Sequence, residues 1–187
     1  MCTQTRMMRL VVCVFSLVMS LVPSGAATLS RLSLDDMINQ STAIVRVRVS
    51  GSYTAWRGPV IYTYYRTQIL ERWKGNVDSA VDVALPGGIV NGSRQDFPGT
   101  PQLNDGKDYL LFLWTSRNGL TQIIGLTQGL FDLSQDGNGI LTAVRSASTN
   151  SLLDPRTGQS VKDEPIRLQM KDLGARIATT LGKGLTH

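Results

Sequence analysis

The segment from Lys107 to Trp114, KDYLLFLW, holds the longest unbroken apolar run of the chain beyond its first 26 residues. The run is too short to span a membrane, and after Asp108 it has no polar position that would face water. An apolar run of this length is typical of a strand buried on both faces. Turn residues stand on either side of it, at 104–106 and 117–119. We therefore expect this segment to be the central strand of a small β-domain.

Shorter patterns of the same kind surround this segment. Residues 43–49, AIVRVRV, alternate, which predicts a strand with its valines on a dry face and Arg46 and Arg48 on a solvated face. A binding stripe is the alternative role for the two arginines. Residues 51–59 are expected to form a loop. Further strands are predicted at 60–73, 80–85, 108–115, 120–126, 129–133 and 140–144. Short strands at this spacing with little helix indicate a mainly β protein, either a closed barrel or a sandwich.

Two helices are expected to flank the strands. Ser33-Leu-Asp-Asp36 resembles a capping box and predicts a short helix over 34–40. Residues 146–164 are polar and rich in Ser, Thr and Asp, so we expect a linker between the β-domain at 28–145 and a C-terminal helix at 165–182. That amphipathic helix carries one apolar stripe made of Ile166, Met170, Leu173, Ile177 and Leu181. The stripe is expected to dock on the barrel, with a partner helix or a membrane surface as the alternative.

The first 26 residues have the three parts of a secretory signal peptide. Two arginines open the segment, an apolar core follows, and small residues at Ala26 and Ala27 suit cleavage after either one. An uncleaved N-terminal anchor is the alternative. Lipidation of Cys13 is disfavoured because Val12 stands where a small residue should precede the cysteine. We expect a secreted or periplasmic protein whose mature chain has no transmembrane span.

Both cysteines, Cys2 and Cys13, lie in this leader, so the mature chain is expected to fold without a disulfide. Among small exported domains, that favours a bacterial protein. The net charge is +5, and removal of the two leader arginines gives 5 − 2 = +3 for the mature chain. A charge this small indicates ordinary solubility more than a polyanionic partner, and export makes a nucleic-acid partner unexpected.

In the order of these features, the chain resembles a group of uncharacterised secreted bacterial β-barrel proteins. The resemblance covers residues 30–145 and rests on IYTY, a Lys-Gly pair, alternating valines before Gly-Gly, the YLLFL strand and QGLF. More remotely, the same strands resemble the OB-fold of netrin and metalloproteinase-inhibitor modules. This implies a small antiparallel OB-like barrel. It also suggests a protease inhibitor by fold analogy, but the inhibitors' metal-chelating N-terminal cysteine has no counterpart in the mature chain.

Few residues in the sequence indicate catalysis or metal binding. The only histidine is His187, at the end of the chain, so triads that depend on histidine and zinc sites are not expected, and no cofactor is predicted. One segment matches the first half of a calcium loop, at Asp132, Ser134, Asp136 and Asn138. Its twelfth position is Ala143 instead of glutamate, and DGNG is also a favourable hairpin turn. We expect the hairpin and keep calcium as a weak alternative.

The long Gly/Pro-rich segment at 86–105 is the strongest candidate for a functional surface. We expect it to be mobile alone and to contact a protein or envelope component together with nearby exposed aromatic residues. The candidate binding residues are Trp56, Tyr62, Tyr64, Arg94 and Phe97. The function predicted is therefore a non-enzymatic, exported binding module. The alternative is a hydrolase in which the carboxylates Asp96, Asp105 and Asp108 converge on a pocket.

Overall fold

The computed structural model of the protein describes residues 28–183, so the predicted signal peptide at 1–26, both cysteines and His187 lie outside the described residues. The chain in this range is mainly β, with two helices. In order, the elements are β1 (Thr28–Ser30), α1 (Leu34–Gln40), β2 (Ala43–Arg57), β3 (Val60–Lys74), β4 (Ala80–Pro86), β5 (Gly88–Val90), β6 (Ser93–Gln95), β7 (Asp108–Thr115), β8 (Thr121–Ile123), β9 (Leu130–Gln135), β10 (Leu141–Arg145), β11 (Ser151–Leu153), β12 (Ser160–Val161), β13 (Ile166–Gln169) and α2 (Met170–Lys183).

One large antiparallel sheet organises the fold. Its strands follow the order β13-β10-β9-β7-β2-β3-β4, and β8 pairs with the end of β7. Within the described residues β4 and β13 remain edges, so the closed barrel that the sequence predicts is not formed. Strand β8 comes nearest to closing the sheet against β4, but it is too short to do so, with only 3 residues. It ends there because Gly125 and Leu126 both turn the chain with positive φ.

The central strand β7 is buried on both faces, as its sequence predicts. Tyr109, Leu111 and Leu113 belong to one apolar cluster, which fills the concave side of β2, β3, β4 and β7. Leu110 and Phe112 belong to a second cluster on the other face. Both helices cover that second face with the side chains Met37, Ile38, Leu173 and Ile177. The sheet is thus a partition between two hydrophobic cores, and the run of apolar residues in β7 supplies both.

Helix α1 is fixed at both ends by side chains. At its start, the Ser33 hydroxyl accepts from the Asp36 backbone N–H while the Asp36 carboxylate accepts from the Ser33 backbone N–H, the predicted capping box. At its end, Lys74 Nζ donates to the carbonyls of Ile38 and Asn39 at 2.6 and 2.8 Å. Burial lowers the pKa of Lys74. The last residue of β3 therefore completes the carboxyl end of this helix.

The hairpin of β2 and β3 is longer than the sequence predicts. Residues 51–57, predicted as loop, continue β2 and pair with β3 from Arg66 back to Val60. The predicted loop was wrong because the register shift between Val49 and Gly51 restarts the alternation instead of ending the strand. Tyr53 and Trp56 consequently lie on a strand, where their orientation is set by the sheet.

The segment predicted as a linker, 146–164, contains strands instead. β11 pairs in parallel with β1 and antiparallel with β12, forming a small second sheet. The predicted helix start at 165 was also wrong, because 166–169 form β13 against β10 and only α2, from Met170, is helical. Ile166 and Leu168 both pack on the second core. Ile166 and Leu168 are two positions apart, which fits one face of a strand, whereas Ile166 and Met170 are four positions apart, which fits one face of a helix. The apolar pattern therefore suits either element.

No helix among residues 28–183 is long and apolar enough to cross a membrane.

A buried glutamine attaches the first described strand to the main sheet. Gln128 Oε1 accepts from the Leu32 N–H at 2.8 Å, and Gln128 Nε2 donates to the Ser30 carbonyl at 3.0 Å. Gln128→Glu removes the donor and brings a carboxylate against that carbonyl. We expect it to lower the free energy of unfolding by about 1–3 kcal/mol in urea titrations. The same change at exposed Gln159 is the control, and equal effects at the two positions would contradict this role.

Candidate functional site

The main candidate site is a cleft between the β5–β6 hairpin and the concave face of β3. Its volume is about 250 Å³. Buried side chains form its floor, apolar side chains form its walls, and an ion pair stands at its mouth. The floor consists of Tyr65 and Leu85, and the walls consist of Pro86, Ile89, Phe97 and Pro101. The ion pair at the mouth is formed by Arg94 and Asp96. Polar side chains of Thr63, Thr100 and Gln102 also line the cleft, so it combines apolar walls with polar groups and a charged rim.

Hydrogen bonds hold the β5–β6 hairpin over the β2–β3 hairpin. The hydroxyl of Thr54 donates to the Ile89 carbonyl at 2.6 Å, and that of Thr63 donates to the Gly87 carbonyl at 2.8 Å. Gln95 accepts from the Ile61 N–H and donates to the Pro59 carbonyl. The segment at 86–105, predicted as one long loop, is thus tied down by side chains from both long strands.

Gly88 makes this close approach possible. A Cβ atom on Gly88 would lie 2.8 Å from Thr54 Cγ2 and 3.2 Å from Ile61 Cγ2, and the residue has a φ of +139°. Any other residue would force the hairpin away from β2 and β3. Gly88 therefore sets the depth of the cleft.

Two tyrosines secure the far end of the same segment. The Tyr109 hydroxyl accepts from the Asn104 N–H at 3.0 Å. The Tyr65 hydroxyl is hydrogen-bonded to the backbone of Leu103, and burial raises the pKa of Tyr65. Leu103 itself packs into the concave core. Both ends of the 86–105 segment are consequently anchored to the rest of the fold.

The ion pair at the mouth is exposed. Arg94 Nε lies 2.6 Å from Asp96 Oδ2, and the two side chains are 66% and 70% exposed. The hydrogen bond that Arg94 donates to the Asp96 carboxylate raises the pKa of Arg94. Within residues 28–183, neither Nη group of Arg94 has a hydrogen-bond partner. An exposed pair of this kind contributes little to stability, and the guanidinium retains donors for a ligand.

Of the predicted binding residues, Arg94 and Phe97 meet in the cleft, whereas Tyr62 and Tyr64 do not. Strand register places Tyr62 and Tyr64 on the opposite face of β3 from Thr63 and Tyr65. Trp56, 45% exposed, pairs with Ile61 and so lies on the cleft side of the hairpin, but it does not line the cleft. The surface predicted as one is therefore split between two faces.

The outward tyrosines form a contact cluster of their own. Tyr64 stacks on Tyr53 with ring centroids 5.0 Å apart and planes at 10°. The Arg66 guanidinium lies 5.2 Å from the Tyr53 ring centroid, and the Tyr53 hydroxyl donates to Asp82 at 2.9 Å. These rings are engaged by one another and by charged neighbours, which makes them cross-strand packing of a sheet face.

The three predicted carboxylates have separate environments. Asp96 is at the mouth of the cleft, and Asp105 is exposed in the turn before β7. Asp108 accepts from Arg48 at 2.7 Å and from Arg46 at 2.9 Å. The hydrogen bonds from Arg48 and then Arg46 lower the pKa of Asp108 despite its partial burial. Asp108 is therefore an ionised partner of the two arginines that the sequence placed on a solvated face.

The lowered pKa of Asp108 predicts an acid-dependent contribution to stability. Because the folded pKa lies below the unfolded value of about 3.9, the contribution is full above that value and is lost as the pH falls through the folded pKa. Asp108→Asn should therefore lower the free energy of unfolding most at neutral pH, and the difference from wild type should shrink below about pH 4. Urea titrations from pH 2 to 7 measure this. A constant difference across that range, or an equal pH dependence for Asp105→Asn, would contradict it.

The calcium-like segment forms the predicted hairpin turn. Asp136 Oδ1 accepts from the N–H groups of Asn138 and Ile140, both at 2.9 Å. Asp132, in β9, instead pairs with Lys107 at 2.6 Å, and its hydrogen bond raises the pKa of Lys107. In the described part of the chain, no group of three or more His, Cys, Asp or Glu is placed to hold a metal ion.

Several residues that build the cleft were not predicted from the sequence. Ile89 and Tyr65 line it, while Thr54, Thr63 and Gln95 hold its hairpin in place. The sequence contains one signal for them, because side chains alternate between the two faces of a strand. Once β3 is recognised as a strand, Thr63 and Tyr65 fall on one face and Tyr62 and Tyr64 on the other. Comparisons of the chain with protein-family models, curated proteins and solved structures found no match.

Proposed function

We propose that this protein is an exported, non-enzymatic module that binds a protein or envelope component at the cleft beneath the β5–β6 hairpin. The observation that carries the proposal is a cleft whose hairpin is held by hydrogen bonds and whose walls carry two exposed hydrophobic side chains. Ile89 is 53% exposed and Phe97 40% exposed. Exposed apolar side chains beside a fixed concave surface are typical of an interaction site.

The placement of the carboxylates favours binding over the hydrolase alternative. Of Asp96, Asp105 and Asp108, only Asp96 lines the cleft. Asp108 is instead hydrogen-bonded to Arg46 and Arg48.

Export and an OB-like origin are part of the same proposal. Export rests on the signal-peptide pattern of residues 1–26. The OB-like relation is supported by the path β2-β3-β4 followed by β8-β7 and back to β2, in which β4 and β8 enclose a groove of about 270 Å³. Five strands in this order, open at one seam, fit the partly open barrel of that fold and the resemblance to secreted bacterial β-barrel proteins.

The test is affinity capture from secreted and periplasmic fractions with the tagged chain from Ala27. Ile89→Ser with Phe97→Ser removes the two exposed hydrophobic residues of the cleft. Leu70→Ser with Ile140→Ser, also exposed in wild type, is the matched control. We expect wild type and the control to capture the same component and the cleft variant to lose it. Equal capture by all three forms would place binding elsewhere and refute the proposal.

A further inference from the structure

We infer that the cleft receives a protein segment in which a large apolar side chain lies next to a carboxylate. This inference rests on the proposed function and names the class of partner. It follows from the size of the cleft, the chemistry of its interior, the free donors at its mouth and its rigidity.

The size of the cleft favours one side chain over a whole small molecule. Pockets for small ligands are usually about 300–1,000 Å³, and this one is about 250 Å³. A space of this size suits a single large apolar residue, which is how protein interfaces place an anchor.

The interior offers carbon surface to a large apolar side chain. Tyr65 and Leu85 are almost fully buried beneath it, and the Tyr65 hydroxyl is already bonded to the backbone of Leu103. Pro86, Pro101 and Phe97 offer carbon surface on the sides. The Thr100 hydroxyl also lines the cleft and is buried without a partner among the described residues. A large side chain that is mostly carbon and carries one hydrogen-bonding group, such as tyrosine or tryptophan, therefore fits best.

The mouth adds a charge preference. Arg94 uses Nε to bind Asp96, and its two Nη groups are without a partner among the described residues. These two donors fit a carboxylate, which guanidinium groups bind in a forked geometry.

The rigidity of the hairpin lowers the free-energy cost of binding a linear segment. The hairpin is already fixed by Thr54, Thr63 and Gln95. Little of the cleft must be ordered on binding, so the ordering cost falls on the segment alone. One anchor and one ion pair can then suffice for measurable affinity.

Selection of a phage-displayed library of random decapeptides on the chain from Ala27 tests this. We expect enriched peptides to hold an aromatic or long aliphatic residue within two positions of Asp or Glu. Synthetic copies, followed by fluorescence polarisation, should bind at least tenfold more weakly to Arg94→Ala and to Phe97→Ser. The control Arg117→Ala removes the same charge from an exposed turn outside the cleft and should bind like wild type.

The other outcomes separate the two proposals. Peptides that need Phe97 but bind Arg94→Ala normally would overturn the acidic class and leave the binding module in place. If no peptide binds in a manner that depends on the cleft, the inference fails. A panel of envelope glycans then decides the proposed function: binding lost in the Ile89→Ser, Phe97→Ser variant retains it, and no binding that depends on the cleft removes it as well.

Discussion

Replacing Asp163 by alanine is expected to lower the free energy of unfolding by about 3–5 kcal/mol, because it leaves a buried arginine without its counter-charge. Arg145 Nη2 lies 2.7 Å from Asp163 Oδ1, and the two side chains are only 4% and 3% exposed. The second oxygen, Asp163 Oδ2, accepts from the Ser148 N–H at 2.7 Å. Arg145 Nε has no partner in the described chain even in wild type. Urea or guanidinium unfolding at pH 7 measures the effect.

An exposed ion pair provides the control for this change. Asp96→Ala breaks the pair with Arg94, at a similar distance of 2.6 Å but at the surface, and should cost no more than about 1 kcal/mol. Combining Asp163→Ala with Arg145→Met removes the unpaired charge and should recover part of the loss. If Asp163→Ala and Asp96→Ala have equal effects, the buried pair does not hold the 146–164 segment.

Gly75→Ala is expected to destabilise the fold by about 2–5 kcal/mol, the sum of a left-handed backbone and overpacking. Gly75 has a φ of +82°, and a Cβ atom there would lie 2.3 Å from the carbonyl oxygen of Thr42 and 3.0 Å from Ala43 Cα. Both are backbone atoms at the start of β2, which lies beside the central strand β7. Lys74, the preceding residue, would also be pulled from the end of helix α1.

Gly58→Ala separates the two causes. Gly58 has a similar φ of +60° but nothing lies within 4 Å of its Cβ position, so only the backbone cost of about 1–2 kcal/mol remains. Thermal and urea unfolding of both variants should show a larger loss for Gly75→Ala. Equal losses would mean that the chain relieves the contact with Thr42 by a small shift.

The elements that were predicted correctly are those whose sequence pattern lies within a few neighbouring residues. The apolar run in β7 required burial on both faces, and the structure places Leu111 and Phe112 in opposite cores. The capping box at Ser33 is likewise complete within four residues. In these cases the physical cause lies in neighbouring residues, so the sequence alone contains it.

The features that were missed depend on contacts between distant residues. Continuation of β2 beyond Gly51 requires its partner strand, because the bulge is defined only by the register with β3. The polar composition of 146–164 resembles a linker, yet Arg145 and Asp163 fix it through a pair 18 residues apart in sequence.

The candidate site was predicted in part for the same reason. Arg94 and Phe97 were identified because they lie in an unusual Gly/Pro-rich segment, and the structure brings them to one cleft. The tyrosines at 62 and 64 were grouped with them by proximity in sequence. Tyr62 and Tyr64 lie on the other face of the sheet because side chains alternate along β3.

Photo-crosslinking from the wall of the cleft tests most directly the central claim, which is that the cleft binds a segment of a partner protein. A benzoylphenylalanine placed at position 97 would lie at the cleft, and the same group at position 140 would lie at an exposed site outside it. In exported fractions of the source organism, the claim predicts one crosslinked protein from position 97 and none from position 140. It also predicts that excess unlabelled chain abolishes the product and that the Arg94→Ala form of the chain competes poorly. Equal crosslinking from both positions, or none from position 97, would contradict it.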